Sequence, residues 1–218
     1  MTEILHTLQQ QVHPEYTALL IIDNQNDFCA EGGFLVRARG PDDPNAVRVQ
    51  DTTRIADNIG PLATASRRAG MPVVWIRSHY DYKYLAKAHI TKRSREGLCL
   101  EGSWGADFFH IRPEPSDLIV TKHTFSGFHG TSLHEQLQRL GVKTLLVTGV
   151  ATNVCVDSTL REGFFLGYHI VVPEDCVGSG NQLAHQGTLS TVRVNIGTVT
   201  DSKTLSDILA NGERVGAS

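Results

Sequence analysis

Apolar positions along the chain gather in short blocks rather than singly. Runs at Thr17–Ile22, Pro72–Arg77, Asp117–Thr121, Lys143–Thr148, Tyr168–Val172 and Val194–Val199 are apolar for most of their length. Short apolar runs bounded by turn residues are the pattern of strands buried on both faces of a parallel sheet. Between these runs the apolar residues space out at helical intervals. Ile55, Ile59, Leu62 and Ala65 predict a helix capped by Asp51 or Thr52 and ending near Gly70. A second helix is predicted from about Ser132 to Leu140, stopped by Gly141. A third runs from Asp157 to about Gly167, with Leu160, Phe164 and Phe165 on its apolar side. A fourth spans about Asn181 to Val192, and Pro173–Gly178 reads as a turn.

Strands alternating with helices imply right-handed crossovers. The predicted fold is therefore α/β: a doubly wound, mostly parallel six-stranded sheet with helices on both faces, a Rossmann-like three-layer sandwich. One domain over residues 1–218 accounts for the length, with the N-terminal 15 or so residues peripheral. Two segments break the rhythm. Asp27 to Pro44 is a loop rich in Gly, Pro and Asp, and Ser78 to Arg112 is a long excursion, basic and aromatic at its start. A connection of that length in a compact domain is functional or partly helical.

Composition removes several classes. A hydrophobic content of 40% and a charged content of 20% are ordinary for a globular protein. A net charge of −3 provides no basic field, so neither nucleic acid nor an anionic membrane is an expected partner. No apolar run approaches the ~20 residues of a bilayer span. The polar stretch Met1 to Tyr16 lacks a signal-peptide core, so the cytoplasm is the expected compartment. Cys29, Cys99, Cys155 and Cys176 are scattered without paired spacing, which argues for free thiols. No CxxC, HxxxH or HExxH occurs. His123, His129 and His134 read as solvent-exposed or locally hydrogen-bonded side chains, so neither a metal nor a cofactor is expected.

Cys155 stands where the fourth strand turns into a helix. A thiol there meets backbone N–H groups and the positive end of a helix dipole, which favour the nucleophilic thiolate. Open α/β sheets form their sites outside the carboxyl ends of the strands. Asp23 ends the first strand, Lys122 the third, and Cys155 lies just beyond the fourth. If the strands are parallel, all three face one crevice. An ordinary cysteine is only a few per cent thiolate at neutral pH, so it needs help. Asp23 would take the thiol proton as general base and return it to a leaving amine. Lys122 would lower the thiol pKa and hold the carboxylate by charge. The backbone N–H groups of Ala151 and Cys155 are the candidates for an oxyanion hole. Gln25 can hydrogen-bond an amide, and Phe28, Tyr80, Trp104, Phe125 and Phe128 can wall a small pocket, although aromatic side chains more often fill cores.

Three motifs, in order, resemble the isochorismatase-like (cysteine hydrolase) superfamily: the first strand with its acidic residue in Ala18-Leu-Leu-Ile-Ile-Asp23-Asn-Gln25-Asn-Asp27-Phe28, the lysine motif in Leu118-Ile-Val-Thr-Lys122-His-Thr-Phe-Ser126-Gly-Phe128, and the cysteine motif in Gly149-Val-Ala-Thr-Asn-Val-Cys155-Val156. The resemblance spans roughly residues 16 to 200. It implies an Asp23, Lys122 and Cys155 triad and a cis Val150–Ala151 peptide. It also implies a cysteine-dependent amidohydrolase working through a thioester-like intermediate, and a homodimer or homotetramer. Within the superfamily, the stretch from Thr152 to Tyr168 looks most like ureidoacrylate amidohydrolases, whose relatives act on biuret, triuret or N-carbamoyl amino acids. Such enzymes take a small ureido or carbamoyl substrate and release ammonia. The excursion after the second strand departs from that subfamily's pattern. Nicotinamidases share the triad but carry an Asp-x-His metal motif that Ser78-His79-Tyr80-Asp81 does not match. Cys155 argues against isochorismatase itself, which has no catalytic cysteine. A dinucleotide-binding oxidoreductase would need GxGxxG after the first strand, where Asp23-Asn-Gln-Asn-Asp-Phe stands instead. The remaining alternatives are a nicotinamidase-like amidase of another small amide and a catalytically silent binding protein of the same fold.

Overall fold

A computed structural model of the chain describes residues 4–35, 49–93 and 98–215. Its strands are β1 (Thr17–Ile22), β2 (Val73–Ser78), β3 (Leu118–Lys122), β4 (Thr144–Val150), β5 (His169–Pro173), β6 (Val177–Gly178) and β7 (Gly197–Thr200). Its helices are α1 (Leu8–Gln11), α2 (Asn26–Cys29), α3 (Val49–Arg68), α4 (Lys87–Arg93), α5 (Leu133–Arg139), α6 (Asp157–Phe165), α7 (Gln182–Thr191) and α8 (Ser202–Val215). The strands form one sheet in the order β3-β2-β1-β4-β5-β7, with β6 also pairing β4, and every pairing is parallel.

Alternate side chains of each central strand enter opposite layers, as a pleated strand requires. Leu19, Ile21, Trp75, Leu146 and Val171 pack with Ile55, Ile59 and Leu62 of α3 and Leu205 and Leu209 of α8. Leu20, Ile22, Ile76, Leu145 and Val147 pack with Leu133 and Leu137 of α5, Leu160 of α6 and Leu189 of α7. This is the expected three-layer α/β sandwich, with one strand more than expected. After β5 a 3₁₀ turn at Glu174–Cys176 returns the chain beside Gly149 and Val150, so part of the predicted turn becomes β6.

Four local expectations give way. The chain is already helical at Val49, so Asp51 and Thr52 lie inside α3; the Thr52 hydroxyl donates to the Cys29 carbonyl at 2.8 Å instead of capping. On α6, Thr159, Leu160 and Gly163 face the core, while Phe164 and Phe165 point outward, Phe165 with 80% exposure. A Cβ at Gly163 would sit 3.0 Å from Leu145 Cδ1, so the sheet selects the small residue rather than the two phenylalanines. The last strand begins at Gly197, because Val192–Ile196 continue α7 as a π turn that leaves Val194 exposed. The N-terminal segment is less peripheral than expected, since Val12 is fully buried in the α3 layer.

The described parts of the excursion are helical at α4 and at a 3₁₀ turn, Trp104–Ala106. It is pinned by consecutive polar residues after β1. Asn24 Nδ2 donates to the Phe109 carbonyl (2.6 Å), Gln25 Nε2 to that of Ala106 (3.0 Å) and Asn26 Nδ2 to that of Trp104 (2.8 Å). Asp27 Oδ2 accepts from the Cys99 N–H at 2.7 Å. All four are buried. Among the described residues, no helix is long and apolar enough to cross a membrane.

Candidate active site

The carboxyl ends of β1, β2 and β3 stand side by side, with Ser78 in register with Lys122. Asp23 follows directly on β1 and adopts a φ of 51°, a left-handed conformation that aspartate enters more readily than most residues. Its N–H donates to the Ile76 carbonyl at 2.8 Å, which keeps the residue at the strand end. Beside it, Gly149 takes a φ of 107°, and a Cβ there would lie 2.0 Å from the Ile22 carbonyl oxygen. Only glycine lets β4 approach β1 so closely at that turn.

Asp23 and Lys122 are both fully buried, and Lys122 Nζ donates to Asp23 Oδ2 at 2.8 Å. The ammonium also donates to Ser78 Oγ (2.8 Å) and to the Thr124 carbonyl (3.1 Å). Its three N–H groups are thereby all used, as a buried charge requires. Ser78 in turn donates to Asp23 Oδ1 at 2.8 Å, which closes a ring of three polar side chains. The Tyr80 ring centroid lies 5.7 Å from Nζ. Burial opposes the charge on Lys122, but Asp23, with Cys155 and Tyr80, holds the ammonium above the usual lysine value.

Cys155 sits in a π turn, Thr152–Val156, between β4 and α6, and is 4% exposed. The Ala151 carbonyl accepts from the N–H groups of Val154 (3.0 Å) and Val156 (3.3 Å), which closes this turn, and the Val150–Ala151 peptide is cis. The thiol interacts with both Asp23 and Lys122, so the three residues drawn from separate strands share one centre. Burial, then the Asp23 charge, pushes the Cys155 thiol up to about 12, against a smaller opposing pull from Lys122. The helix start and Lys122 are expected to lower the thiol pKa; burial and the carboxylate outweigh them. The loop after β3 is tied to the same element, because Thr159 Oγ1 accepts from the Gly127 N–H at 2.9 Å and donates to the Cys155 carbonyl at 2.7 Å.

The residues expected to contact a substrate divide. Gln25 is fully buried and its amide is occupied: Oε1 accepts from the Ser78 N–H (2.7 Å), and Nε2 donates to the carbonyls of Ser78 (3.1 Å) and Ala106 (3.0 Å). It is a strap rather than a ligand. Phe28 and Phe128 are buried in the two different core layers. Trp104 is half-exposed, its ring edge against Gly32. Tyr80 lies beside Lys122, and the ring of His89 stands between Tyr80 and Phe125 at centroid distances of 5.2 and 4.9 Å. Ser78 and His89 are the residues the motifs did not reveal. Ser78 was within reach of the strand-end rule, since it ends β2; nothing in the local pattern marks His89.

Among the described residues, no three His, Cys, Asp or Glu side chains gather as a metal site. His123 is stacked on Tyr84 with centroids 4.2 Å apart and bonds the His79 carbonyl, and His134 bonds the Tyr168 hydroxyl, so both are engaged locally. Cys29, Cys99 and Cys176 are buried free thiols, as is Cys155.

Solved structures resemble the fold of this chain over most of its length. A cysteine hydrolase from Pseudomonas syringae pv. phaseolicola 1448A superposes with a TM-score of 0.82 at 23% identity, over 97% of this chain and 100% of that one, a likeness of fold. An N-carbamoylsarcosine amidase from Thermoplasma acidophilum gives 0.69 at 25% identity, over 86% of this chain and 96% of that one. A nicotinamidase from Bacillus subtilis gives 0.71 at 26% identity, over 85% and 99%. The isochorismatase domain matches residues 17–204, a span that takes in β1 with Asp23, the Lys122 strand and the Cys155 turn, and the chain belongs to the isochorismatase family.

Proposed function

We propose that this protein is a cysteine-dependent amidohydrolase that cleaves a C–N bond of a small ureido or carbamoyl compound and releases ammonia. The observation that carries the reading is the buried Asp23–Lys122 pair at 2.8 Å, with the Cys155 thiol acting on both members. A carboxylate beside a protonated thiol is the arrangement of a base waiting for its nucleophile. Asp23 accepts the Sγ proton as sulfur attacks the carbamoyl carbon. The carbonyl electrons move onto oxygen, where the N–H groups of Ala151 and Cys155 would receive them. Collapse expels ammonia, which carries away the proton held on Asp23, and leaves a thioester-like carbonyl on sulfur. Water then attacks that carbon, gives a proton to Asp23, and the thiol leaves reprotonated. Lys122 stays charged throughout and keeps the carboxylate in position.

The likeness to an N-carbamoylsarcosine amidase supports a carbamoyl substrate, and the likeness to a nicotinamidase supports a second reading, an amidase of another small amide. A panel of biuret, triuret, ureidoacrylate, N-carbamoylsarcosine and nicotinamide, scored by ammonia release, separates them. Turnover of a ureido compound that Cys155→Ala abolishes is the expected result. Turnover of nicotinamide alone favours the second reading. A folded protein that hydrolyses nothing in the panel removes the substrate class. The cytoplasm is the compartment this reading assumes.

A further inference from the structure

A second concavity lies at the other end of the sheet. Thr17, Thr144 and His169 are in register at the amino ends of β1, β4 and β5. Asp23 is six residues further along from Thr17, or roughly 20 Å at the rise of a strand. Around this amino-terminal row is a cavity of about 240 Å³ whose wall includes Tyr16, His134, Lys143, Leu166, Tyr168 and His169. It is therefore no antechamber of the Cys155 centre.

The chemistry of the wall is one-sided. In a chain of net charge −3, every ionisable group lining this cavity is basic or phenolic. Lys143 makes no ion pair with a described residue, and its Nζ lies 5.0 Å from the Tyr16 ring centroid. An ammonium parked over an aromatic face keeps its charge available to an anion. His134 Nδ1 and the buried Tyr168 hydroxyl are 2.9 Å apart, which fixes the imidazole and leaves Nε2 as the nitrogen it can offer. Burial, with the exposed Glu135 carboxylate, pushes the Tyr168 phenol up to about 12, so it stays a neutral hydrogen-bonding group. The backbone frame is stiff: Lys143 N–H donates to the Tyr16 carbonyl (2.7 Å), and His169 N–H to the Lys143 carbonyl (2.9 Å). Aromatic rings and Leu166 supply an apolar floor. The volume falls below the ~300–1,000 Å³ of drug-sized sites, which restricts the occupant to a small molecule.

We infer that this cavity binds a small carboxylate with a flat apolar body, the anion facing Lys143, His134 and His169 and the body lying against Tyr16 and Leu166. The site stands independently of the hydrolase reading, and neither result bears on the other.

Benzoate and inorganic phosphate are suitable probes, titrated separately into the full-length ¹⁵N-labelled protein. Benzoate is expected to move the amide signals of Lys143, Tyr168 and His169 saturably, and to bind more tightly than phosphate. Lys143→Met, an exposed position that leaves the fold intact, is expected to weaken benzoate roughly tenfold, the loss of one charge-assisted contact. Cys155→Ala is expected to leave these shifts in place. The inference is overturned by the absence of saturable shifts, by equal affinity for phosphate, by affinity indifferent to Lys143→Met, or by shifts confined to the Cys155 end and lost in Cys155→Ala.

Discussion

The hydroxyl of Ser78 donates to Oδ1 of Asp23 at 2.8 Å while it accepts from Lys122 Nζ at the same distance. One small side chain thus sets which face each member of the buried pair presents to Cys155. Removing it leaves a carboxylate and an ammonium each short of a partner in a site without exposure. Such a loss costs about 1–3 kcal/mol per group. Ser78→Ala is therefore expected to lower the melting temperature and to reduce kcat more than it raises KM. An unchanged kcat in a folded variant would remove Ser78 from the centre.

Asp23→Asn separates two roles of one carboxylate. As general base, Asp23 contributes roughly 10²–10⁴ to turnover, and ammonia release should fall by that order. As a negative charge it raises the Cys155 pKa, so its loss beside a retained Lys122 should move iodoacetamide labelling of Cys155 to lower pH. Breaking a buried ion pair costs about 3–5 kcal/mol, so both measurements belong on protein shown to be folded by circular dichroism. Turnover retained at the wild-type rate would assign the base elsewhere.

Stability should depend on alkaline pH through the buried thiol. The Cys155 pKa rises from 9.0 to about 12 on folding. Between those values the folded state holds a proton that the unfolded state has released. The stabilisation is thus complete below about 9 and is lost as pH climbs toward 12. Cys29 is raised by burial as well and adds with the same sign. Urea midpoints measured from pH 8 upward should decline, and Cys155→Ala should flatten part of that slope. A rising midpoint would mean that the thiol is ionised in the fold.

Gln25 offers a direct choice between strap and ligand. With its amide engaged by Ser78 and Ala106, Gln25→Ala should destabilise the fold by about 1–3 kcal/mol for each buried partner left unmatched. Its kinetic effect should follow Ser78 and fall on kcat. A rise in KM alone, with no change in melting temperature, would return Gln25 to the substrate.

Much of this architecture can be read from the chain directly. Runs such as Thr17–Ile22 and Thr144–Val150 are apolar without alternation, and such runs settle as interior parallel strands whatever surrounds them. Once the strands are parallel, residues that end them must share an edge. This is why Asp23 and Lys122 could be placed at one edge from order, while their pairing rested on the motif resemblance. Gly141, with a φ of 69°, stops α5 where a glycine after a helical run should.

Other features depended on contacts between distant segments. Gln25 and Ser78 are 53 positions apart, and only the folded backbone brings the amide to both sides of the serine. The outward turn of Phe164 and Phe165 follows from the close fit of Gly163 against Leu145, which helical spacing cannot express. The thiol's charge state was decided in the same way. Local position at a helix start argued for a thiolate, but burial and the neighbouring carboxylate hold the proton on sulfur. Local pattern determines which segments are strands and which residues end them, because those choices rest on neighbours along the chain. Side-chain partners and protonation depend on the dielectric and on groups supplied from elsewhere, and only the tertiary structure decides them.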